Sequence, residues 1–152
     1  MDNIGTRIYV LSILFIQILL CISCANGRNE MIFSESESLL NTDPDSALLV
    51  LNSIVYPEKL SEKEYNRYIL LKIQAEYKSY QDITSDSVIL SVRDYYLEKK
   101  DNPNLALASY YCGCYYKECD DGENAMRYFL EADKYAGKGD TLKELRVFRC
   151  LS

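Results

Sequence analysis

The sequence predicts an all-α protein, an antiparallel stack of about six to seven amphipathic helices. Three observations carry this reading. Helix-start signals stand ahead of one apolar-periodic run after another, strand-type alternation is missing, and one apolar triplet recurs at nearly constant intervals. Asp43-Pro44-Asp45-Ser46 sets a capping carboxylate and a first-turn proline before ALLVLNSI. Ser61-Glu62-Lys63-Glu64 is a capping-box pattern before YNRYILLKIQAEYKSY. Thr84-Ser85-Asp86-Ser87 precedes VILSVRDYYLEKK, Pro103 stands in a first turn, and Asp120-Asp121 precedes ENAMRYFLEADKYA. Gly137 and Gly139 close that run, and Asp140 or Thr141 can cap LKELRVFRCLS. Asp121-Gly122 lies between two helical patterns, not between alternating strands. The triplet Ala47, Leu51 and Ile54 is spaced i, i+4, i+7. Val88, Val92 and Tyr95 repeat it, as do Ala125, Phe129 and Ala132. Residues 47 and 88 lie 41 apart and residues 88 and 125 lie 37 apart, near the period of helix-pair arrays.

Composition narrows the function classes. Of 152 residues, 48% are hydrophobic, enough for a packed domain of ordinary size. The net charge of −6 and the lack of any Lys/Arg run argue against nucleic acid as a ligand of this chain. The six glycines are scattered and form no phosphate loop. There is no histidine, so the usual general base is missing. Acidic pairs such as Asp120/Asp121 stand at a helix start, where carboxylates cap. The expectation is a non-catalytic protein with no cofactor.

Cys112, Cys114 and Cys119 form a C-x-C-x4-C run flanked by tyrosines. Zinc sites normally use two Cys or Cys/His pairs. On a helix, at about 100° per residue, Cys112 and Cys114 point to opposite faces and cannot share an ion. No metal is therefore expected, and the thiols read as small apolar fillers. An i, i+2 disulfide within a helix is geometrically poor. Pairing of Cys119 with Cys112 or Cys150 stays open.

The N-terminal run IYVLSILFIQILLCI, residues 8–22, is shorter than the roughly 20 apolar residues a spanning helix needs. It follows Arg7 and stops at Ser23-Cys24. Ser23, Cys24 and the apolar run resemble a bacterial lipoprotein signal peptide covering residues 1–23, cut between Ser23 and Cys24. Cys21 departs from the leucine usual three before the modified cysteine. An ordinary cleaved signal and an uncleaved anchor are the alternatives, and all three put the rest of the chain outside the cytoplasm. The resemblance implies that Cys24 carries the lipid, with a diacylglycerol on the thiol and acylation of the freed amine, enough chains for stable anchoring. By the same analogy Ala25 implies the outer membrane facing the periplasm, and residues 24–28 read as a tether.

Gly113, Tyr116, Ala125, Phe129 and Ala132 fit every spacing of Gly-x2-Tyr-x8-Ala-x3-Phe-x2-Ala, and so resemble the tetratricopeptide repeat. The best repeat is 104–137, with looser ones at 29–55 and 61–99, inside a helical domain spanning 29–152. Ser109, Cys112 and Gly137 depart from the aromatic, leucine and proline usual at their positions. The resemblance implies that Gly113 and Ala125 are small where paired helices approach, that Tyr116 and Phe129 fill the space beside them, and that Ala132 lets the next repeat dock. It further implies a solenoid with a concave groove for a protein or peptide partner, faced by Leu107, Tyr110, Cys114 and Lys117. The tyrosine content suits such a surface.

Two functions follow as expectations. One is a lipid-anchored scaffold facing the periplasm. The alternative is the extracytoplasmic part of a larger repeat-containing signalling or transcriptional regulator, truncated at residue 152. Residues 139–152 decide between them. They read as a capping helix, with Leu142, Leu145, Val147, Phe148 and Leu151 covering the last pair and Lys143, Glu144, Arg146 and Arg149 in water, or as the first helix of a further repeat.

Overall fold

In the computed structural model of the chain, residues 27–136 are described, together with Leu11 and Ile13 as isolated helical positions. The architecture is all-α, with no strand among the described residues. Helix α1 spans 27–39. It is followed by α2 (Pro44–Leu51), a 3-10 turn at Pro57–Lys59, α3 (Glu62–Lys78), α4 (Val88–Lys99), α5 (Asn102–Glu118) and α6 (Gly122–Tyr135).

The helix starts are held by their side chains. Asp43 accepts from the Ser46 amide at 3.1 Å. Ser61 Oγ accepts from the Glu64 amide at 3.3 Å while the Glu64 carboxylate accepts from the Ser61 amide at 3.1 Å, so both halves of the capping box form. Asp101 and Asp121 cap α5 and α6 through the amides of Asn104 and Asn124. Each asparagine also donates its side-chain amide back to the capping carboxylate. Ser87 makes no side-chain cap for α4.

Three details differ from the sequence reading. Helix α2 ends at Leu51, so Ile54 packs from the turn beyond it. Helix α4 buries Ile89, Val92 and Tyr96, leaving Val88 and Tyr95 half-buried. The stripe is rotated because α4 packs more extensively on α5, which follows it, than on α3. Gly27 and Arg28, the end of the stretch read as a tether, belong to α1. Asn29 Nδ2 donates to Glu64 Oε1 at 3.0 Å and ties the start of α1 to α3.

Helices α3 and α5 are two copies of one design. Each has 17 residues. Their caps, Ser61 and Asp101, stand 40 residues apart. Both end on a left-handed residue, Tyr80 (φ 57°) and Asp120 (φ 58°), again 40 apart. The following amides, of Gln81 and Asp121, then reach back to the carbonyls of Glu76 and Tyr116, closing both helices alike.

Alternate helices run parallel. Residues 29, 30 and 41 meet Glu64, Arg67 and Lys78, partners 35 to 37 apart that rise together, which sets α1 alongside α3. Tyr77 of α3 meets Tyr111 of α5 edge-on at 6.0 Å. Within the last pair the order reverses. Ser109 meets Glu131, Gly113 meets Phe129 and Tyr116 stacks on Tyr128, so α5 and α6 are antiparallel. Phe33, Leu51, Ile73, Ile83, Ile89, Leu105 and Tyr111 fill the continuous core between the layers.

The tightest point lies at Gly113. A Cβ there would stand 2.5 Å from both Cδ1 and Cε1 of Phe129. Gly113→Ala is expected to cost about 1–3 kcal/mol, the usual range for overpacking a filled site. Urea melts of the single variant and of Gly113→Ala in a Phe129→Leu background check this, and the cost should shrink in the second because the obstructing ring is gone.

The Ser61 hydroxyl holds the Glu64 carboxyl below its ordinary value of 4.5, against a smaller opposing effect of burial. A carboxyl lowered in the folded state stabilises fully above its ordinary value and loses that contribution as pH falls through the folded one. Ser61→Ala is therefore expected to cost about 1 kcal/mol at pH 7. The gap should narrow, without vanishing, in paired melts well below pH 4.5, since the bond from the Glu64 amide does not titrate.

Candidate functional site

A groove of about 890 Å³ opens between α1, α3 and α5, with the C-terminal end of α4 at one side. Its floor is apolar: Leu40, Leu70 and Leu71 are buried beneath it, and Leu107 continues it from α5. Its rim carries both signs, with Lys63, Arg67 and Lys99 against Glu37 and Asp101. Tyr95 and Tyr96 complete the side facing α5, their rings edge-on at 5.1 Å.

Arg67 organises the rim. Its Nη1 donates to Glu30 at 2.8 Å, its Nη2 lies 2.9 Å from Glu37, and the guanidinium stands 5.0 Å from the centre of the Phe33 ring. Burial works against its charge, but the bonds to Glu30 and Glu37 outweigh burial and raise its pKa above the ordinary value. One α3 side chain thus grips α1 at two points and sets the separation of these walls. Burial, helped by Asp101, pushes the Tyr96 hydroxyl up, so it serves the groove as a neutral hydroxyl.

Of the four residues expected to face a groove, Leu107 lines it. The other three are not among its lining residues. Tyr110 is half-buried against Tyr111 and Phe129, with ring centres 5.1 and 5.6 Å away. Cys114 is buried, beside Tyr77 of α3 and Tyr110. Lys117 is exposed at the far end of α5, whereas the groove lies at its first turns. The 40-residue interval between Ser61 and Asp101 relates these four to Arg67, Leu70, Gln74 and Tyr77, and the first three of those line the groove. The intervals of 41 and 37 read from the apolar triplets do not carry the four positions onto this wall; the 40-residue interval between the observed caps does.

The repeat-packing positions fall together on the α5–α6 contact. Gly113, Ala125 and Phe129 are buried in the main core. Tyr116 stacks on Tyr128 with ring centres 5.5 Å apart and planes within 7°. Ala132 packs on Ala106 of its own pair.

Cys112 and Cys114 are free and buried, and Cys119 is free and exposed. The first two face different neighbours, as the helix period requires: Cys112 Sγ donates to the Ile89 carbonyl of α4 at 3.6 Å, and Cys114 meets α3. Burial pushes the Cys112 thiol up and takes Cys114 to about 12, so both are protonated at neutral pH. Among the described residues no group of His, Cys, Asp and Glu is placed to hold a metal ion. No described helix is long and apolar enough to cross a membrane. Ser23 and Cys24, the proposed lipidation site, lie outside the described residues, as do Gly137 and 139–152.

No protein-family model matches the chain, and no curated protein or solved structure is significantly similar to it.

Proposed function

We propose that this chain is a lipid-anchored scaffold of the cell envelope, built on tetratricopeptide-like helix pairs, that binds a protein or peptide partner without catalysis. The observation carrying the proposal is the groove. Its apolar floor of Leu40, Leu70, Leu71 and Leu107 can take apolar side chains from water, while its mixed-charge rim can pair with polar groups of an extended segment. Its walls are alternate helices running parallel with partners 34 to 37 residues apart, a spacing that fits repeats of this kind. The Gly113–Phe129 contact supplies the close helix approach that the repeat pattern implies. Anchoring rests on the sequence around Ser23-Cys24. Acylation of Cys24 would hold the groove within reach of partners at the periplasmic face of the outer membrane.

Photo-crosslinking in cells tests the groove. A benzophenone amino acid at Leu107 or Tyr95 is expected to give a discrete adduct of one common partner mass. The same probe at Lys134 on α6 should not. Adducts of equal yield at all three positions would sink the assignment. Palmitate labelling tests the anchor: wild type should incorporate the label, and Cys24→Ala should lose it.

A further inference from the structure

The described helices give the stack two ends, and the ends differ in charge and polarity. At one end lie the turns that join the helices of each pair, residues 40–46, 79–87 and 118–123. They hold eight carboxylates and no Lys or Arg, with Lys78 and Lys117 just outside them. Tyr80 is the one large apolar side chain exposed within those turns. At the other end the chain enters α1 at Gly27. Asn29 donates to Glu64, Glu64 closes the capping box with Ser61, and Lys99 lies 3.6 Å from Glu62. These contacts gather stretches 27–31, 52–61 and 98–104 at the entry end. Four basic residues balance four acidic ones there. The same end exposes Met31 at 73%, Val55 at 72% and Tyr56 at 58%. Other exposed apolar residues stand on helix flanks; these share one end with exposed Arg28, Lys59 and Lys100. Lys59 Nζ stands 4.0 Å from the centre of the Tyr56 ring.

We infer that the entry end rests on a lipid surface, with Met31, Val55 and Tyr56 in the headgroup region and Arg28, Lys59 and Lys100 at the lipid phosphates. This rests on the anchored reading of Ser23-Cys24. Cys24 precedes Gly27 by three residues, which span about 10 Å at most. A lipid on Cys24 therefore keeps the start of α1 at the surface, and the side chains that share its end of the stack come with it. The chemistry of those side chains suits an interface. A tyrosine ring takes the headgroup boundary, while a lysine beside it lays its stem on apolar surface and keeps its ammonium at the phosphates. Charge sets the orientation. Anionic lipid attracts bases and repels carboxylates within a Debye length, so the acidic turns point away from the surface. Lys99 also rims the groove, and a partner held there sits close to the lipid.

Tryptophan fluorescence tests the orientation, because the chain has no tryptophan of its own. Tyr56→Trp and Tyr80→Trp each place one probe, at opposite ends of the stack. The full chain, purified from membranes, is reconstituted in vesicles of phosphatidylethanolamine with a minority of phosphatidylglycerol, with and without bromine near the headgroup end of the acyl chains. Tyr56→Trp emission is expected to fall by roughly half or more with the brominated lipid, and Tyr80→Trp emission to stay unchanged. Adding Val55→Asp and Lys59→Glu to Tyr56→Trp should restore the emission while the chain still floats with the vesicles, with helix content by circular dichroism as the folding control. Equal quenching of both probes, or of neither, in a chain that floats with the vesicles overturns the inference and leaves the anchor standing. Quenching that survives Val55→Asp with Lys59→Glu also overturns it, since the tether alone would then account for the contact. A chain that does not float overturns the anchor and this inference together.

Discussion

Phe129 lies over Gly113 with no space for one more carbon between them. That contact brings α6 onto α5 at close range, and α5 is the helix that α3, α4 and α6 all touch. The residues on either side of Gly113 are equally small in demand. Cys112 turns to α4 and Cys114 to α3, each fully buried. Three consecutive positions therefore admit three neighbouring helices, and a bulkier residue at any of them would force one neighbour outward. This gives the CGC run a physical role that involves no ligand. Its thiols are held protonated by burial, so they act as packing groups in whatever redox compartment the chain occupies.

The groove is a consequence of that packing. With α4 and α6 drawn onto α5, the first helices α1, α3 and α5 are left side by side, facing the same way. Of these, α3 and α5 meet lightly, where Tyr77 near the end of α3 reaches Tyr111 and Cys114 in the second half of α5. The groove lies on the N-terminal side of that contact, at Leu70, Leu71 and Leu107. Arg67 then fixes the opposite wall, because Glu30, Glu37 and the Phe33 ring are all satisfied from one guanidinium. Each such ion pair is only partly buried and contributes modestly to stability. Its larger effect is geometric, holding α1 at one distance from α3.

The sequence exposed the starts of these helices far better than their ends. A start is marked by a side chain that bonds a nearby amide, and Asp43, Ser61, Asp101 and Asp121 all do so. The ends of α3, α4 and α5 rest instead on Tyr80, Lys100 and Asp120 in the left-handed region. That conformation favours glycine, so none of these residues advertises a stop. The phase of α4 was hidden for a different reason. Val88 and Tyr95 are as apolar as Ile89 and Tyr96, and only the identity of the dominant neighbour, α5, decides which set is buried. The groove suffered from the same ambiguity. Tyr110 and Cys114 lie on the expected side of α5, yet Tyr77 and Phe129 reach them first.

Ser109 is a small polar residue buried where α4, α5 and α6 meet. The resembled repeat places an aromatic there, whose bulk would hold the neighbouring layer. Here the buried Ser109 hydroxyl donates to Glu131 at 3.1 Å, and Glu131 receives Arg93 from α4. Glu131 holds the Arg93 charge firmly enough to raise its pKa well above the ordinary value, despite partial burial. A charged brace across α4, α5 and α6 thus occupies the interface around this small polar residue. Such a brace is directional in a way that an apolar contact is not. Sliding α6 by one turn would part Glu131 from both Arg93 and Ser109 and leave its largely buried carboxylate without them, a cost that two apolar faces sliding past each other do not meet. The brace thus locks the register of the outer helices. Through Ser109 the brace also reaches α5, the helix that brings Leu107 to the groove.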